Sequence, residues 1–224
     1  MKILTLILVV LFSSNLLFGQ NCACPPDNIS GNKKPNKTFK FSNGKSIGLC
    51  GDFTIQNNEK QYSESVIYKC GQENSLLEFD GTTSYTIEQN KDTVIIQEFY
   101  IIANGKNLSL KWSKFYLTKL FWESAQLKQK SYYKKDLRKY SDFEIEKVLN
   151  EYRTTQNYKI LNFDKILLIG HRLFWAYASG SKKAGQYLED FENKYGPFDG
   201  AISEEFNDIF TTYEHYKEIE VQRR

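Results

Sequence analysis

The chain has 224 residues, a net charge of +3, 41% hydrophobic and 15% aromatic residues. That is enough apolar material for one large domain or two small ones, so an intrinsically disordered chain is excluded. So slight a positive charge does not build the strongly basic face of a nucleic-acid binder, and no nucleic-acid partner is expected.

Residues 1–19 read as a secretory signal peptide. Lys2 supplies the positive start, Ile3 to Phe18 the apolar run, and Gly19 a small residue before Gln20. The run is short of the ~20 apolar residues of a membrane span and is interrupted by Ser13-Ser14-Asn15, so cleavage is expected rather than retention. The mature protein is expected to be secreted or periplasmic, with no transmembrane anchor. Lipid attachment at Cys22 is a lesser alternative: the amide of Asn21 precedes it, and three cysteines would be left over.

Residues 20–37, rich in Pro, Asn, Gly and Lys, read as an extended arm. All four cysteines, Cys22, Cys24, Cys50 and Cys70, lie in the first third of the chain. In an oxidising compartment they make two disulfides tethering that arm. Cys22 and Cys24 are too close to pair without strain, which leaves 22–50 with 24–70, or 22–70 with 24–50. Cys-x-Cys fits neither the usual zinc spacing nor a thioredoxin-like redox pair, so no metal or cofactor is expected.

Residues 38–122 show short apolar runs separated by turns. Strands are expected over 38–41, 45–50, 65–70, 75–79, 82–89, 93–103 and 108–117, punctuated by Asn43-Gly44, Gly71, Asp80-Gly81 and Asn104-Gly105. Successive strands with tight turns predict an antiparallel meander, curled into a half-barrel or sandwich. Residues 123–140, rich in lysine, read as a polar linker. A helical region, 141–219, follows. Ser141-x-x-Glu144 has capping-box spacing ahead of the Ile145, Val148, Leu149, Tyr152 stripe. A second helix spans 163–179, apolar around most of its circumference. Ser181 opens a third, carrying Ala184, Leu188, Phe191 and Tyr195 up to Gly196-Pro197. A fourth carries Ile202, Phe206, Ile209 and Tyr213. The fold class is α+β: an N-terminal antiparallel meander followed by a four-helix C-terminal part.

No motif names an activity. His171 and His215 are far apart and lack a zinc-protease pattern. No Gly-x-Ser-x-Gly elbow supplies a nucleophile for His171, and the Ser179-x-x-Lys182 spacing lacks its companion motifs. The best surface candidate is Lys111, Trp112, Lys114 and Tyr116, with Trp122 downstream: aromatic faces beside cations stack on sugars or hold anionic groups. The functional expectation is a non-catalytic protein that binds a protein or glycan of the cell envelope, an immunity protein against a secreted toxin being one form. The alternative is an envelope hydrolase using His171 with acids brought to it by folding. The sequence does not fix the oligomeric state.

Overall fold

The computed structural model describes residues 22–26, 31, 33–56, 58–72, 74–155 and 163–221, so the leader expected at 1–19 lies outside them. Seven strands pair in sequence order: β1 (Lys37–Lys40), β2 (Ser46–Gln56), β3 (Glu59–Lys69), β4 (Ser75–Asn90), β5 (Thr93–Ile102), β6 (Lys111–Glu123) and β7 (Gln126–Tyr133). The helices are α1 (Asp142–Thr154), α2 (Phe163–Ala178), α3 (Lys182–Glu189), the single turn α4 (Phe191–Tyr195) and α5 (Gly200–Val221). The α+β class stands: a meander followed by four helices of eight residues or more and one short one. Among the described residues no helix is long and apolar enough to cross a membrane.

Several boundaries differ from the sequence reading: the strands expected at 45–50 and 65–70 run on into a longer hairpin, Ser46–Gln56 with Glu59–Lys69. The expected linker at 123–140 carries β7 over Gln126–Tyr133, and β6 runs on to Glu123. Lys128 and Lys130 gave this stretch its linker-like composition. They stand on the last strand of the sheet order, where charge suits a strand with one unpaired edge. The expected strands 75–79 and 82–89 are one strand, β4, with Gly81 inside it at φ +91. A side chain there would meet Glu64 at 2.8 Å, so the glycine accommodates an irregularity between the pairs Glu64–Asp80 and Tyr62–Tyr85. The third expected helix is split at Asp190 into α3 and α4.

The chain divides into two compact units, and the division does not follow the β-to-α boundary. Unit 1 is Met1–Ile96 with Lys119–Lys130; unit 2 is Gln97–Thr118 with Ser131–Arg224.

Unit 1 is β throughout. One face of its sheet buries Phe39, Ile47, Leu49, Ile67, Tyr85, Val94 and Leu120. The sheet curls within this unit: Lys45, beside the start of β2, donates to the Ala125 carbonyl in the β6–β7 turn at 3.0 Å. On the other face of β2 and β3, the disulfides Cys22–Cys70 and Cys24–Cys50 close over Tyr68, which resolves the pairing left open by the sequence. The arm is held further by Asn36, whose side chain accepts from the Gly51 N–H at 2.8 Å.

Unit 2 combines strand segments with all the helices. Phe115 of β6 is buried among Tyr100, Tyr133, Phe174, Trp175 and Tyr216. The Ser141 capping box is formed in full, and Arg138 pairs with Glu144 beside it. α2 is the central helix as expected, with Leu173, Phe174, Trp175 and Ala176 all buried.

Candidate functional site

The candidate face begins at the loop before β6, in unit 2. Leu108 is 2% exposed and anchors the loop from within. Its carbonyl accepts from Arg172 Nε at 3.1 Å, and Glu151 holds the same guanidinium at 2.7 and 2.8 Å. A planar fork held on two sides is a rigid support, because little rotamer freedom remains to be lost. Asn107 and Leu108 both stand at positive φ, 56 and 61, so tertiary contacts impose a backbone that these residues rarely adopt alone.

Past this anchor the chain turns outward. Leu110 is 42% and Trp112 57% exposed. Strand alternation then sends Ser113 and Phe115 inward. Lys111 is exposed, and the Lys114 ammonium lies 5.6 Å from the centre of the Phe99 ring. From Phe99 to Trp122 the chain carries Lys106, Lys111, Lys114 and Lys119 and no acidic residue. The face is therefore an apolar platform within a stretch bearing only positive charge. Flat aromatic surface beside ammonium groups suits sugar rings carrying carboxylate or phosphate.

Tyr116 is not part of that platform. Its ring packs 5.2 Å from Tyr133 and 5.1 Å from His215 of α5, and burial raises its pKa. It helps seat α5. Trp112 and Lys114 share one register of β6, and Lys111, also exposed, stands in the alternate one.

His171 lies half-buried on α2. Burial pushes its pKa down to about 4, so the ring is neutral at physiological pH. Among the described residues no hydrogen bond or ion pair reaches it, and Asp164, one possible orienting acid, is exposed at the start of the helix. The hydrolase alternative needs an acid and a hydroxyl at this ring, and among the described residues neither is hydrogen-bonded to it. His215, read from the sequence as a surface residue, is half-buried against Tyr116 and Tyr133.

A carboxyl that the sequence did not single out is Glu98 on β5. Burial raises its pKa to about 7, although Tyr100 donates to it at 3.4 Å. Tyr100 is itself held neutral by burial and by the carboxylate. Glu98 falls in the same strand register as the buried Val94, Ile96 and Ile102, a weak cue to an inward-facing acid. Among the described residues no cluster of three or more His, Cys, Asp or Glu side chains could hold a metal ion.

Unit 1 contains a recess of about 700 Å³ between the β2–β3 ends and the β6–β7 turn, with Lys45, Lys69, Cys70 and Trp122 in its wall. Its residues come from three separate stretches of the chain, so no sequence motif marks it. No protein-family model, curated protein or solved structure matches the chain.

Proposed function

We propose that the protein is an exported, non-catalytic binding protein of the cell envelope, and that the Leu110–Trp112–Lys114 face meets an acidic glycan there. The observation that carries this is Trp112, 57% exposed on a strand whose loop is fixed from beneath by Leu108 and Arg172. An exposed indole held on a rigid support loses little freedom on binding and suits an anchor role. The lysines around it favour an anionic partner. Two disulfides fit the oxidising compartment in which such a partner is found.

The test is titration of the oxidised protein with uronic-acid oligosaccharides, followed by calorimetry at several salt concentrations. Saturable binding is expected, weakened by salt. Replacing Trp112→Ala should lower affinity about tenfold or more, the usual cost of truncating a central aromatic anchor. Replacing Lys111→Ala together with Lys114→Ala should weaken binding and flatten its salt dependence. Affinity unchanged in Trp112→Ala would refute the assignment.

A further inference from the structure

We propose a second, separate binding site: the recess in unit 1 takes a small oxyanion group (carboxylate, phosphate or sulfate), with Lys45 and Lys69 supplying charge beside the Trp122 ring. None of these residues belongs to the Trp112 face.

Two observations converge there. The first is the concavity itself. Its volume of about 700 Å³ lies within the range of small-molecule sites.

The second is charge. The Lys45 ammonium stands 4.1 Å from the centre of the Trp122 ring, and that of Lys69 stands 5.8 Å from it. Among the described residues neither lysine forms an ion pair. Lys45 uses one of its three N–H bonds on the Ala125 carbonyl, leaving two.

The arrangement therefore offers positive charge and spare donors. Its chemical complement is a group that only accepts: an oxyanion, neutralised by the lysines. Lysine reads such a group as a point charge rather than through a planar fork, so the site selects charge over one geometry.

The framework is well fixed. Cys70, also in the wall, is tied by its disulfide to Cys22. Its amide donates to the Ser46 carbonyl at 3.0 Å, so the ends of β2 and β3 are pinned together. Phe41 packs edge-on against Trp122 at 6.2 Å and fixes the indole from another side. Lys45 ties the β6–β7 turn to the same corner.

The experiment uses the full, oxidised chain labelled with ¹⁵N. Its three tryptophans give three indole N–H resonances to follow. Sodium phosphate is titrated against sodium chloride at matched ionic strength, and a sugar phosphate is titrated in a parallel arm. Saturable movement of the Trp122 resonance with phosphate, while those of Trp112 and Trp175 stay still, is expected. Lys69→Met should weaken that titration at least tenfold, and Lys111→Met should leave it unchanged. Tighter binding of the sugar phosphate would place the oxyanion on a larger molecule; equal or weaker binding would point to the free ion. Both support the site.

A Trp122 resonance that does not move, or moves equally with chloride, would overturn it. So would an unchanged titration in Lys69→Met. Should that variant fail to fold, Lys45→Met and the wild-type titration decide the matter. Failure here would leave the Trp112 face untouched, because that face is read from oligosaccharide binding and a different tryptophan.

Discussion

His171 and Glu98 carry opposite pH signatures. The folded chain keeps His171 neutral down to about pH 4, whereas the unfolded chain protonates it near 6.5. Its contribution is fully present above pH 6.5 and is lost as pH falls towards 4, because the unfolded state then binds a proton that the folded state refuses. Glu98 runs the other way. The folded chain holds its proton up to about pH 7, whereas the unfolded chain releases it near 4.5. Its contribution is present below pH 4.5 and is lost as pH rises through 7. Between these limits the two slopes offset each other. His171→Leu should therefore leave a stability that falls relative to wild type as pH rises from about 4 to 6.5. Glu98→Gln should leave one that rises across nearly the same interval. Each difference should be on the order of 2 kcal/mol, read from urea unfolding at a series of pH values. Parallel profiles for wild type and both variants would show that neither ring nor carboxyl is as buried as described.

At the scale of single elements, the tightest constraint lies between β2 and β3. Gly48 pairs with Tyr68, and a side chain at Gly48 would lie 2.4 Å from the Tyr68 ring. Tyr68 is fully buried, and its hydroxyl is 3.6 Å from the sulfurs of both Cys22 and Cys50. The ring has nowhere to withdraw. Gly48→Ala should cost about 1–3 kcal/mol through overpacking, seen as a lower urea midpoint for unit 1. The same change in a Tyr68→Leu background should cost clearly less, since the coupling of two touching residues appears in a double-mutant cycle. Gly48 also shows what the sequence does and does not reveal. β2 was legible from its alternation, but the need for glycine was not, because Tyr68 comes from another strand. The Ser141 capping box and the buried face of α2 were legible because cap chemistry and helical periodicity act over a few residues. The β2–β3 hairpin beyond Gly51 was missed because Phe53 and Ile55 alternate on a largely exposed strand end and bury too little to mark it. Trp112 and its lysines were legible as neighbours in sequence. The Trp122 recess was not, because curling of the sheet assembles it.

For the whole molecule, the uneven placing of the disulfides makes a test of its organisation. Both bridges lie in unit 1, closing sequence separations of 48 and 26 residues, and unit 2 has none. In the chain-entropy model, closures of this size contribute about 3–4 kcal/mol each, with the second worth less once the first is formed. Unit 2 relies instead on aromatic packing around Phe115 and Trp175 and on the Arg172–Glu151 pair. Reduction should therefore weaken the two units unequally. The three tryptophans report on this: Trp122 lies in unit 1, Trp112 and Trp175 in unit 2. With dithiothreitol, the urea midpoint read from the Trp122 indole resonance should fall well below that read from Trp175. Cys24→Ser with Cys50→Ser should reproduce part of the fall without reductant. Because β5, β6 and β7 each run through both units, the Trp175 midpoint should follow to a smaller degree rather than stay fixed. Identical midpoints at every reductant concentration would mean that the chain unfolds as one cooperative body, with the bridges stabilising all of it.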